Sequence, residues 1–363
     1  MLIIITVDHI LTPEKSLLWQ PLGYVSAASG FVFLAGVTTA IAYRRYIDQP
    51  RALWLKCWQR SLVIYLFHVS LLALYYGWQA IGMVTSSSFD NARETAVQML
   101  FSLALIHQPS LMDILPMYVI FMMAAPWLLI LISKGRPLAV LSASLLLWLL
   151  TQFMDIAALP GWLSQHDVRL GAFNPLAWQL LFVAGLVSGS VCTGRKKDVH
   201  SPFILAALAA PVLLLLLDRH EIIDIIPEHL LSLAERYSIG AIRLANFALL
   251  AALIYLSIRY FKLNIGNSWV EFLGRHSLQV FTYSILLAEL SAKILPDIQQ
   301  YSGKTGEIVY LTVCLISLSI PAFLNSRYRM RVKTGVAEKS NQMLEPENPL
   351  NRSLLASSRN PKG

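Results

Sequence analysis

Ser26-Ala-Ala-Ser-Gly-Phe-Val-Phe-Leu-Ala-Gly-Val-Thr-Thr-Ala-Ile-Ala-Tyr43 carries no charge over 18 consecutive positions. As a helix rising 1.5 Å per residue it reaches about 27 Å, close to the roughly 30 Å hydrocarbon core of a bilayer. Ala27, Ala28, Gly30, Ala35 and Gly36 are small enough to let a second helix come close. The stretch reads as a transmembrane helix with a packed neighbour.

Eight comparable runs follow it, at residues 57–80, 111–133, 137–153, 175–191, 202–217, 240–261, 277–295 and 307–325. Composition agrees: 56% of the 363 residues are hydrophobic and 14% charged, where soluble domains carry about a quarter charged. Mean hydropathy is +0.57. The expected fold is all-α, a polytopic membrane helix bundle of about ten transmembrane helices. Residues 1–325 form the membrane domain, and the polar residues 326–363 a disordered cytoplasmic tail.

Lysine and arginine concentrate in short cytoplasmic loops. Counting residues 1–11 as the first span and residues 26–43 as the second, the loops after even-numbered spans hold Arg44, Arg45, Arg51, Lys56 and Arg60, then Lys134 and Arg136. Arg195, Lys196 and Lys197 follow, then Arg259, Lys262 and Arg275, and finally Arg327, Arg329, Arg331 and Lys333. The opposite loops hold few basic residues, among them Arg169 and Arg236, mostly beside acids. Both termini are therefore expected in the cytoplasm. The net charge of +8 is spent on this topology, so the lipid bilayer is an expected partner and nucleic acid is not. Cys57, Cys192 and Cys314 are far apart, fit no metal-ligand spacing and read as inert packing.

Upstream lies Met1-Leu-Ile-Ile-Ile-Thr-Val-Asp8-His9-Ile-Leu11. Eleven helical residues reach only about 16 Å, half of a crossing. Either the true beginning lies further upstream or this is a half-helix; the first is the expectation. An ionisable pair at the outer end of a span is a candidate site, since charge there is costly to keep. The bland alternative is two hydrated headgroup residues. On a helix Asp8 and His9 point about 100° apart, so Asp8 is badly placed to orient the imidazole. Imidazole is still the side chain best suited to general-base work near neutral pH.

Arg60 and His68 lie eight apart on one expected helix, two turns along a shared broad face. Arg60 reads as a snorkelling cytoplasmic residue and His68 as a mid-membrane hydrogen-bonding partner or a substrate ligand. Arg243 and Asn246 share a helical turn, and Asn174 introduces the sixth span. The pair Arg275-His276 reads as a solvated anchor. No GxSxG, HExxH, Walker or Rossmann pattern occurs. These residues alone do not separate an enzyme from a transporter.

Six stretches together resemble the OpgC family of multi-span membrane acyltransferases. They are Thr6-Val-Asp-His9, residues 26–36, Arg60 to His68, Asp113-Ile-Leu-Pro-Met-Tyr118, Phe173-Asn-Pro-Leu-Ala-Trp-Gln-Leu-Leu-Phe182 and Leu273-Gly-Arg-His-Ser-Leu278. The resemblance implies an inner-membrane enzyme of Gram-negative bacteria with about ten spans, implicated in succinylating osmoregulated periplasmic glucans. It places His9 as the general base beside Asp8, and Arg60, His68, Asp113 and Asn174 at family positions; Arg243 joins them as a candidate anion-binding residue. The donor it implies is a cytosolic acyl-CoA such as succinyl-CoA, a co-substrate, with no bound cofactor. Two departures stand out. Family members begin upstream with an acidic residue and an Arg-Gly pair, and most carry an acid where this chain has Ser29. A relative that has lost the reaction, and a permease for a glycan or lipid-linked sugar, are the competing readings. The permease predicts inverted repeats, and none is evident.

Overall fold

The structure is a computed structural model that describes residues 1–11, 23–80, 92–153, 169–191, 202–263 and 266–344, without the side chains of 92–94 and 332–344. Among the described residues there is no β-strand. The helices are α1 (Leu2–Ile10), α2 (Ala27–Tyr43), α3 (Pro50–Ala80), α4 (Ala92–Leu103), α5 (Ile114–Ser133) and α6 (Pro137–Phe153). They continue with α7 (Pro175–Val191), α8 (Pro202–Arg219), α9 (Ala241–Tyr260), α10 (Ser268–Arg275), α11 (Ser277–Ser317) and α12 (Ser319–Leu344). Short 3-10 helices occupy Arg44–Tyr46 and Glu228–Ala234.

Among the described residues six helices are long and apolar enough to cross a membrane, counting Ser277–Arg331 once. That segment holds both of the last two expected spans, because helix continues through the expected loop. Gly303, at φ +58°, breaks it. α6 and α7 are apolar but 17 residues long, and α1 has nine. α3 begins at Pro50 rather than near 57. Its 31 residues exceed one bilayer crossing, and the surplus is the turn carrying Arg51 and Lys56. α12 extends to Leu344, so residues 326–344, expected to be unstructured, are helical. Their Arg, Met, Lys, Ala and Glu content favours that state. Residues 345–363, Cys192 and the Arg195–Lys197 cluster lie outside the described residues.

The small residues of α2 meet α7. A Cβ on Gly36 would collide with the Phe182 carbonyl oxygen, and one on Gly185 with the Phe33 carbonyl oxygen. Backbone therefore lies against backbone, as the small-residue pattern implies. α1 packs along α11: Leu2 and Ile3 against the cluster of Val280 and Leu273, Ile10 against Leu295 and Cys314. Cys57 and Cys314 are buried free thiols. α3 is tied to α5 by Ser61, whose hydroxyl donates to the Val119 carbonyl over 3.0 Å.

α2, α5 and α9 all run the same way. Their N-termini lie at one end of the bundle, and Arg44, Arg45, Lys134, Arg136 and Arg259 follow or occupy their last turns. The bundle thus has a basic end and an opposite end, where the candidate site is found.

Candidate active site

A cavity of about 610 Å³ opens at the end opposite the basic loops. Asp8, His9 and Leu11 reach it from the end of α1, Ser26 to Ala28 from the start of α2, and Asp113 and Ile114 from the start of α5. Residues 108–111, residues 169–173 and Arg236 complete the wall. Of the seven candidate site residues named from the sequence, the structure therefore brings three, Asp8, His9 and Asp113, to one place.

Asp113 precedes α5, and its Oδ2 accepts the Ala172 N–H over 2.8 Å. Burial pushes its carboxyl up from the ordinary carboxylate range, while that hydrogen bond and the nearby Arg236 charge pull it down. The 169–173 segment can lie this close because Gly171, at φ +84°, has no side chain; a Cβ there would stand 2.8 Å from Asp113 Cβ and 3.1 Å from Gln108 Cβ. Gln108 is itself held by its N–H donating to the Arg169 carbonyl (2.8 Å) and its side-chain amide donating to the Leu105 carbonyl (2.9 Å).

Among the described residues, four that line this cavity have a buried side-chain polar atom lacking a hydrogen-bond partner. The atoms are Asp8 Oδ1, His9 Nδ1, Gln108 Oε1 and Arg236 Nε. Buried polar groups are normally satisfied, so the gathering of such atoms beside this cavity sets its wall apart from the apolar core. The bare Nδ1 of His9 also agrees with the expectation that Asp8 does not orient the ring.

The other four candidates lie elsewhere. Asn174 is buried and starts α7: its Oδ1 accepts the Leu176 N–H over 3.0 Å, a helix cap. His68 is fully buried, 3.2 Å through Nε2 from the Ser102 carbonyl at the end of α4. Arg60 lies near Tyr43, at the basic end and some 15 residues along α2 from the cavity. Arg243 is buried, donating from Nε to the Ala234 carbonyl (3.2 Å) and from a terminal nitrogen to the Tyr24 carbonyl. Beside it, Asn246 Oδ1 accepts the Tyr24 N–H over 2.9 Å. Arg275 is exposed and pairs with Glu271, while His276 is buried and within 2.7 Å of the Asn325 amide.

Sequence reasoning missed Gln108, Phe173 as a wall residue and, above all, Arg236. One signal was available: Arg169 and Arg236 are exceptions to the charge asymmetry, basic residues at the end where basic residues are scarce. Glu235 disguised Arg236 as half of a surface pair. In the structure the Glu235 carboxylate instead accepts the N–H groups of Tyr237 and Ser238, each over 2.8 Å.

The family model for OpgC protein matches residues 1–330. The chain belongs to the OpgC family. No curated protein and no solved structure matches it. OpgC membership points to a membrane acyltransferase, and the match covers every helix that contributes to the cavity. On α1 of this OpgC chain a second, smaller cavity of about 290 Å³ lies at the other end, lined mainly by apolar side chains including Leu2, Phe31, Leu34, Ala35 and Leu273.

Proposed function

We propose that the chain is an inner-membrane O-acyltransferase that moves an acyl group, succinyl by family precedent, from a cytosolic acyl-CoA to a hydroxyl of a periplasmic glucan. In this reading the bundle crosses the membrane ten times with both termini in the cytoplasm, and the Asp8–His9 cavity faces the periplasm. The single observation that carries it is the cavity wall. A histidine of the family's first-span motif lines it together with Asp8, Gln108 and Asp113, side chains whose chemistry suits the many hydroxyl donors of a sugar.

The step is an acyl transfer from sulfur to oxygen. An imidazole nitrogen of His9 takes the proton of the acceptor hydroxyl as its oxygen attacks the thioester carbonyl. The tetrahedral intermediate collapses, the C–S bond breaks, and the thiolate leaves with the proton that His9 returns. Asp8 accepts a hydrogen bond from a neighbouring hydroxyl and fixes the sugar; near-attack placement of this kind contributes much of such a rate. The apolar cavity beside Leu2 and Phe31 lies about 10 Å below His9 along α1, seven residues at about 1.5 Å each. Its lining suits the uncharged pantetheine arm that carries the thioester, with Arg60, Arg44 and Arg45 at the basic end suited to the phosphates of a CoA head.

The test is made in cells deleted for their own glucan acyltransferase. Mass spectrometry of the periplasmic glucan is expected to find ester-linked acyl groups when this chain is expressed, and none with His9→Ala at equal protein level. Unmodified glucan in both strains, or esters that survive His9→Ala, contradicts the reading.

A further inference from the structure

We infer that Arg236 is the anion-recognition residue of this cavity, taking a carboxylate or phosphate group of the ligand on the free edge of its guanidinium. The inference rests on the acyl-transfer reading for what that ligand is.

Arg236 and Arg243 are seven residues apart, yet their guanidinium groups differ in kind. Arg243 is committed to two backbone carbonyls and holds the chain together. The Arg236 side chain donates no hydrogen bond among the described residues, and its buried Nε has no partner. Its guanidinium carbon lies over the Phe173 ring, 4.9 Å from the centroid. A guanidinium that spends no N–H on a protein acceptor keeps its planar fork for an anion.

Two bland accounts fail. As the counter-ion of a cavity acid Arg236 would sit in direct contact with it; the charges of Asp113, Asp8 and Glu235 act on it at longer range, and among the described residues the ion pair within 4 Å is Arg275–Glu271. Asp113 spends Oδ2 on Ala172, and Glu235 spends both oxygens on backbone. Were Arg236 a snorkelling anchor, its segment would have no reason to be fixed. It is fixed at four successive carbonyls. Trp178 Nε1 bridges the carbonyls of Arg236 (3.3 Å) and Tyr237 (3.1 Å), and the Asn174 N–H also donates to Tyr237. The Ser238 carbonyl accepts from Gln152 and that of Ile239 from Trp148, each over 2.9 Å. α6 and α7 thus hold rigid the backbone that carries an unpartnered cation, which is how a binding group is preorganised. Burial draws that guanidinium below its ordinary pKa, opposed by the charges of Asp113, Asp8 and Glu235.

The planar fork fits a carboxylate or a phosphate. In an acyl transfer these have two sources: the distal carboxylate of a dicarboxylic acyl group, or a phosphate ester on the glycan. Purified full-length protein in detergent is titrated calorimetrically with monomethyl succinate, with methyl phosphate, and with neutral dimethyl succinate. At least one anion is expected to bind wild type, and dimethyl succinate is not; which anion binds identifies the source. Arg236→Gln weakens that binding at least about tenfold, whereas Arg236→Lys, keeping charge without the fork, falls between. Binding of neither anion to wild type, or equal binding to Arg236→Gln with an unchanged melting temperature, overturns the inference. Glycan esters are scored separately, so a protein that binds an anion through Arg236 but forms no ester refutes the acyl-transfer reading alone.

Discussion

At the scale of single residues the same chemistry serves two ends. Asn174 reads as a candidate ligand in the sequence, but its side chain caps α7 and its backbone N–H holds Tyr237, so it acts on the cavity through the Arg236 segment. Asn174→Ala is expected to cost about 1 kcal/mol, the usual value of a lost cap, read as a lower melting temperature of the purified protein. Arg243→Met leaves the Ala234 and Tyr24 carbonyls without their donors; the expected loss is about 1–3 kcal/mol, again in thermal unfolding. An unchanged melting point combined with weakened substrate binding would return Arg243 to the ligand role that its sequence position suggests. His9→Ala is different in kind. General-base removal typically costs 10²- to 10⁴-fold in rate, so ester formation falls by about that factor while thermal stability stays near wild type.

At the scale of elements, the α2–α7 pair is the part of the fold most directly readable in the sequence. Small residues spaced along 26–43 announce a close neighbour, and α7 is that neighbour, with its own Gly185 and Gly189 facing α2. Gly36→Leu has nowhere to put its side chain except into the Phe182 backbone, so the expected outcome is loss of the folded peak in size-exclusion chromatography. Gly77 on α3 is the control: nothing lies within 4 Å of a Cβ there. Gly77→Ala is expected to stabilise by about 0.5–1 kcal/mol through helix propensity. Other elements are less readable. Hydropathy marks where a helix meets lipid and is blind to where it stops. Hence neither the long N-terminal turn of α3 nor the continuous helix from Ser277 to the Gly303 break is legible in the apolar runs.

At the scale of the whole molecule, charge asymmetry and helix direction agree. The ends of α2, α5 and α9 that carry Arg44, Lys134 and Arg259 point one way, and the polar cavity opens the other. His9 and Asp113 are legible because each sits beside an apolar run. Arg236 is not, because its meaning depends on Trp178, Gln152 and Trp148 from helices far away in sequence, and no local pattern encodes such contacts. The proposed sidedness predicts that a cysteine replacing exposed Ser232 is labelled by an impermeant maleimide in intact cells, and one replacing Lys134 only after lysis; the reverse pattern would invert the topology. The most direct test of the central claim is transfer by the purified protein, reconstituted with radiolabelled succinyl-CoA and a glucan acceptor. Label should pass to the glucan as an alkali-labile ester with wild type and drop at least about 10²-fold with His9→Ala. Absence of transfer by wild type from any acyl-CoA, or transfer undiminished by the substitution, would contradict the account.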